Sequence, residues 1–168
     1  QHAQAIARCT QALAAARLAP ADQMSLLDLR AESFIAQGKL DLAADDAGTM
    51  VKLANAAKKP AFKAQALNCQ ALVQMRQGAL QQAVKTATTA TKLKHASTAL
   101  RADSLFRLSE AEFRTVRNSA ALEQAQRAIA PYQAIGDASG SGSAHWAIAS
   151  GPHPERSSAE SPRGDQTA

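Results

Sequence analysis

The chain has 168 residues, 46% of them hydrophobic but only 4% aromatic, and a formal net charge of +5. That length supports one domain with its own core; most of the apolar share is alanine, the strongest helix former, and the residues that sheets favour are few, so the expected class is all-α. Two isolated cysteines, Cys9 and Cys69, and four scattered histidines make neither a disulfide framework nor a zinc-ligand spacing, and no apolar run reaches the roughly 18 residues of a membrane span.

In chain order, residues 1–20 read as a second helix without its partner, with Ala3, Ala7 and Leu13 at its apolar positions. Three two-helix units follow, over 21–59, 60–97 and 98–136. In the first, a helix is expected from Gln23 to Gln37, with Leu26, Leu27, Ala31, Phe34 and Ile35 on one face. Gly38 ends it, because a helix closes most easily on a residue at ease with positive φ. A second helix runs from Leu40 to Ala57 until Pro60 breaks it and opens the next unit at its first turn. The second unit is expected to hold helices at 61–77 and 79–95, and the third at 98–117 and 121–135, with Pro131 kinking or shortening the last. "DASGSGSA" (137–144) has no preceding strand and no lysine, so it is no phosphate loop and reads as an inter-repeat turn. A partial helix over 141–149 carries Trp146, and the Ser/Pro/charge-rich segment 150–168 reads as a disordered tail.

The units are related by an offset of forty residues. Ala31, Ala71 and Ala111 align, as do Gly38, Gly78 and Asn118. Ala43 and Ala83 align with Ala3, and Ala47 and Ala87 with Ala7. Leu27 and Leu67 align, and the match fails at Arg107. In the third unit two residues read as inserted, so that Ala125 takes the place of Ala83. Self-similarity at a period of roughly 20–50 residues is the mark of a stacked repeat. Alanine at 31, 71 and 111 suits antiparallel helices that cross closely beside a short turn. The array begins mid-repeat and reads as a piece of a longer one. Its exposed ends leave two outcomes open, a stub that folds back on residues 136–143 as a hinge and caps the last pair, or a homodimer through terminal repeat surfaces, of which the dimer is the expectation.

A small residue, glycine seven later and alanine five after that (Ala31, Gly38, Ala43; Ala71, Gly78, Ala83) resembles the tetratricopeptide repeat, in a long variant. Residues 132–149 look like the junction between long repeats in bacterial signalling proteins, nucleotide cyclases and transcriptional regulators among them, where such arrays sit beside an output domain. The resemblance implies a right-handed superhelix of antiparallel helix pairs, with first helices lining a concave groove; the two isolated cysteines fit a reducing cytoplasm. Through the register of Ala31, Ala71 and Ala111, the groove falls to Asp28, Glu32, Ile35, Asn68, Leu72, Met75, Arg76, Leu108, Glu112 and Thr115. Asp28 and Glu32 stand where the family's lysine–asparagine clamp for a terminal carboxylate would be, which argues against binding of chaperone tails.

The expected function is therefore a non-enzymatic scaffold for a protein or peptide with apolar anchors and a basic group. A regulatory arm on a cyclase or transcriptional output domain is the alternative, and an enzyme the remote one. Neither cysteine has an identifiable base, and no convergent acid, base or nucleophile stands out. No cofactor or metal is expected. The lysines at 52, 58, 59, 63, 85, 92 and 94 lie mostly on second helices and turns, without stacking aromatics, and read as a solvated face and not as a nucleic-acid surface.

Overall fold

Short turns and buried alanines organise the chain. The computed structural model describes residues 1–14, 17–95, 97–115 and 117–150; the expected tail lies beyond residue 150, outside them. Eight α-helices follow one another: α1 (His2–Ala14), α2 (Pro20–Ala36), α3 (Leu40–Ala57), α4 (Pro60–Arg76), α5 (Leu80–Thr91), α6 (Thr98–Arg114), α7 (Asn118–Ala134) and α8 (Ala138–Ser150). There is no strand among the described residues. Pro20 and Pro60 occupy first-turn positions of α2 and α4, where a missing N–H costs nothing. Ser97 caps α6, its Oγ accepting from the Leu100 N–H at 3.2 Å.

Each helix packs on the next, and α2 on α4, α4 on α6 and α6 on α8. The odd-numbered helices touch no other odd-numbered helix among the described residues. The molecule is thus a double layer of helices, in contact within one layer and apart in the other. Gly38 and Gly78 adopt φ of 72° and 79° just past α2 and α4. Around them the N–H of Lys39 reaches the carbonyl of Phe34, and that of Ala79 the carbonyl of Gln74, both at 2.9 Å, the backbone closure that satisfies a helix's last carbonyls.

The same closure corrects the third unit. After α6 the bond joins Arg117 N–H to Glu112 O at 3.0 Å. Glu112, and not Arg114, is therefore the counterpart of Phe34 and Gln74. Asn118 is not a cap after α6 but the first residue of α7. α4 begins at Pro60 and α6 at Thr98, 38 residues on, so the offset is two short of forty. In this register the counterpart of Ala31 and Ala71 is Ser109, not Ala111, and all three are fully buried. Ala43, Ala83 and Ala121 correspond, as do Ala47, Ala87 and Ala125. Ser109 keeps the crossing close by donating its hydroxyl to Ala121 O at 2.9 Å. The shortfall arises in α5, which ends at Thr91 and not near His95. Its threonines turn their hydroxyls onto their own helix, Thr88 on Val84 O at 2.7 Å and Thr91 on Thr88 O at 2.9 Å, and such local bonds weaken a helix.

Three further expectations change. Ala3 and Ala7 are exposed, and Cys9 is the buried residue of α1, with Ile6 and Leu13 packed on the first core. α7 does not end early at Pro131 but continues to Ala134, and the proline lies in its last turn beside the buried Tyr132. The serine–glycine segment is neither turn nor hinge but the first half of α8, which stacks on α6 and α7. Asp137 Oδ1 accepts from Gly140 N–H at 2.9 Å and serves as its cap. Gly140 is small by necessity: a Cβ there would meet Tyr132 Cδ1 at 2.5 Å and Asp137 Oδ2 at 2.8 Å.

The core is thin and alanine-rich, with Met24, Leu27, Phe34, Met50 and Val73 supplying bulk at one end and Tyr132 and Phe106 at the other. One half-buried ion pair crosses it. Arg30 grips Asp46 with Nε and Nη2, at 2.8 and 2.6 Å, while Nη1 donates to Thr10 Oγ1 at 3.0 Å. α1, α2 and α3 are thereby tied at one guanidinium.

Ala71→Leu is expected to cost on the order of 1–3 kcal/mol, because overpacking a close crossing forces the helices apart. The exposed change Gln81→Leu leaves the melting temperature nearly unchanged; equal losses in both would contradict the alanine crossing. The glycines of α8 divide in sign. Gly142, where an added Cβ would have nothing within 4 Å, gains about 0.5–1 kcal/mol on change to alanine. Gly140→Ala loses stability despite the same propensity gain, since Tyr132 blocks it; chemical denaturation of both variants checks the pair.

Candidate functional site: an acidic groove across three helices

The layer in mutual contact presents one face built from α2, α4 and α6. A depression of about 220 Å³ there is lined by Asp28, Glu32, Asn68, Leu72, Asp103 and Arg107, among others. A shallower one of about 420 Å³ adjoins it, lined by Glu32, Ile35, Ala36, Leu72, Arg76 and Arg107. Six of the residues expected from the repeat register therefore lie together: Asp28, Glu32, Ile35, Asn68, Leu72 and Arg76.

Three do not. Met75 and Leu108 are buried in the core between α4, α5 and α6 with Ala83, Val84 and Ala87. Glu112 is 8% exposed, beneath the closure between α6 and α7. Thr115 caps α6, its hydroxyl on Glu112 O at 3.0 Å. Leu108 and Glu112 were displaced by the two-residue shift, which turns a helix face through more than half a revolution at about 100° per residue. Asp103 and Arg107 face the groove instead. The signal for them was legible: the match of Leu27 and Leu67 that failed at Arg107 is restored at Leu105, two residues earlier.

Arg107 is the centre of the site's electrostatics. Its Nη1 donates to Glu110 Oε2 at 2.7 Å, and Nη2 lies 3.9 Å from Glu32 Oε1. Burial opposes its charge, but Glu110, Glu32 and Asp103 outweigh that and hold the guanidinium above its ordinary range. Four carboxylates, Asp28, Glu32, Asp103 and Glu110, thus share this one cation. Asp28 accepts from Gln65 Nε2 and Asp103 from the Tyr132 hydroxyl, each at 2.9 Å. These bonds do not compensate the loss of water: burial is the largest influence on Asp28, Glu32 and Asp103 and pushes all three above the usual carboxylate range. Cys69, buried beside Asp28, has its thiol pushed up by burial and by that carboxylate. It stays protonated, which suits packing and not nucleophilic attack.

Asn68 completes the floor. It is 7% exposed, and its Oδ1 lies 2.9 Å from Ser104 Oγ. Its Nδ2 is buried with no hydrogen-bond partner among the described residues. An amide donor left so is costly unless something occupies it.

At the outer end of the same face, Phe106, Glu110 and Trp146 border a third, open depression between α6 and α8. Trp146 is 71% exposed there, while Ala144 and Ala147 of the same helix are buried. No group of three or more metal-ligating side chains occurs among the described residues, and no helix there is long and apolar enough to cross a membrane. A comparison with protein-family models gave no match, and one with curated proteins gave none.

The raised carboxylates set a pH dependence of stability. Their folded-state pKa lies above the unfolded one, so the folded chain binds more protons, and the cost of their charge is relieved as pH falls through the raised value. The wild type should therefore gain melting temperature relative to Asp28→Asn/Asp103→Asn between neutral pH and about pH 4.5. Parallel melting curves at every pH would show that these charges carry no such cost.

Proposed function

We propose that the chain is a non-enzymatic binding scaffold of the tetratricopeptide kind, which holds a protein or peptide segment in the groove formed by α2, α4 and α6. The observation that carries this reading is the asymmetry of the two layers: α2, α4, α6 and α8 touch in series, whereas among the described residues α1, α3, α5 and α7 do not touch one another. A double layer held closer on one side bends towards that side, so the face of the even-numbered helices is the concave one. Continued in one hand, this bend makes the right-handed superhelix of antiparallel helix pairs that the repeat register implies.

The groove's chemistry narrows the partner. Ile35 and Leu72 offer apolar contact, and Asp28, Glu32 and Asp103 an excess of negative charge over Arg107 and Arg76. A segment with apolar anchors and a positive group complements both. Packed helices hold these residues in place before binding, which reduces the ordering cost of association. Charge complementarity of this kind steers encounter and selects among partners.

An array of peptides combining basic and apolar residues, probed with the full chain, tests the reading. Glu32→Lys, at a position exposed enough to tolerate the change, is expected to weaken captured peptides about tenfold, the effect of a like charge placed at the interface. Lys85→Glu on the far side of α5 leaves them bound. Binding that survives Glu32→Lys and is lost with Lys85→Glu would put the interface on the other layer.

A further inference from the structure

We propose that the two ends of the helix array fit one another, so that copies of this chain associate head to tail, α8 of one against α1 and α2 of the next. The inference does not depend on what the groove binds. It starts from a junction the molecule makes three times: α2 on α4, α4 on α6 and α6 on α8. Asp137 caps α8 as Ser97 caps α6, each accepting from an N–H three residues on. In that register Trp146 is the counterpart of Phe106, Asn68 and Asp28, and Ala147 that of Arg107, Cys69 and Leu29. The first position faces the next even-numbered helix. Asp28 lies against Gln65 and Cys69 of α4, Asn68 against Ser104 of α6, and Phe106 shares a depression with Ser143 of α8. The second position faces back, as Cys69 does to Asp28.

Two side chains of this series lack their neighbour. Leu29 is 50% exposed, where Cys69 is 4% and Ala147 9%. Trp146 is 71% exposed, where Asn68 is 7%. Each end thus holds what the other is missing: α8 offers a forward-facing Trp146, and α2 a backward-facing Leu29. The other layer agrees. Where two even-numbered helices meet, an odd-numbered one packs on both: α3 on α2 and α4, α5 on α4 and α6, α7 on α6 and α8. Among the described residues α1 packs on α2 alone, with Ala3 and Ala7 exposed. When α2 of a second copy comes to α8, α1 comes with it and fills the place between them. A second copy therefore supplies both helices in the spacing already used inside the chain, which an unrelated surface would have to match by chance. The composition of α8 fits an interior place as well: it has no Asp, Glu, Lys or Arg, whereas a helix that ends an array against water is normally a polar cap. The interface is heterologous, so each added copy presents a fresh end, and the groove of the even-numbered helices runs on from copy to copy.

Sedimentation velocity of the full chain over a range of concentrations tests this, with Trp146→Glu and Leu29→Glu, both at exposed positions. The average mass of the wild type is expected to rise with concentration past twice the 17.6 kDa of the chain. Each variant alone stays at the monomer mass, because every junction would then bury a carboxylate against an apolar side chain. An equimolar mixture of the two reaches twice the monomer mass and stops there. One junction, Trp146 of the Leu29→Glu chain on Leu29 of the Trp146→Glu chain, is intact, and the opposite one is doubly blocked. Trp146→Gln and Leu29→Gln replace either variant if its circular dichroism departs from that of the wild type. A wild type that stays monomeric throughout, a variant that associates like the wild type, or a mixture no heavier than its components overturns the inference. Association lost with Trp146→Glu but kept with Leu29→Glu would mean that α8 pairs with another α8.

Discussion

Close crossing of paired helices at small residues is the constraint on which the rest of the structure depends. Ala31 meets α3, Ala71 meets α5 and Ser109 meets α7 with no exposed surface at any of the three. Helix axes brought this near leave little volume between them, so alanine fills most of the core. Such a core buries modest apolar area per residue. It is correspondingly dependent on closures and ties: the backbone bonds around Gly38 and Gly78, and the grip of Arg30 on Asp46. An ion pair of the latter kind adds little net stability compared with apolar packing, but breaking one partner leaves a costly lone charge. Its clearest effect is to hold α1 in place through Thr10, where the short helix has only Cys9 fully buried.

The same closeness makes the groove. When α2, α4 and α6 lie against one another, side chains from different repeats converge on a single patch. Asp28 and Glu32 come from the first unit, Asn68 and Leu72 from the second, Asp103 and Arg107 from the third. No one repeat contains the site. A chain with a formal net charge of +5 thereby acquires a local negative face, because its lysines fall largely on the other layer and the turns. Tyr132 couples that face to the array's end: its hydroxyl holds Asp103 at 2.9 Å, and its ring packs edge-on against Phe106 with centroids 6.5 Å apart. The ring also limits α8 to a glycine at position 140.

Positions equivalent by the backbone closures differ in how well they are satisfied. Phe34 sits under the first closure as an apolar plug. Its counterparts Gln74 and Glu112 each bury a side-chain oxygen without a partner among the described residues, and burial pushes Glu112 above the usual carboxylate range. The repeats therefore share a backbone solution without sharing its packing, and the first pair is the better filled.

By itself the sequence determined the class of structure and most of its elements. Alanine content, proline at 20 and 60 and glycine at 38 and 78 act through local backbone preference, and local preference is readable without neighbours. Pairing of helices followed from turns too short for anything but an antiparallel return. Asp28, Glu32, Ile35, Asn68, Leu72 and Arg76 were legible as one face because the first two units keep their register. Only the tertiary structure decided the third unit. There a two-residue slip, introduced by the early end of α5, moved Leu108 and Glu112 inward and brought Asp103 and Arg107 into the groove. It also decided that a serine–glycine stretch with poor helix propensity is helical, since packing on α6 and α7 overrides propensity where the segment is short and its glycine fits a neighbour's ring. A one-dimensional period averages over such slips. Packing cannot, because each residue's shift rotates the helix by about 100° and changes which side chains face the partner helix.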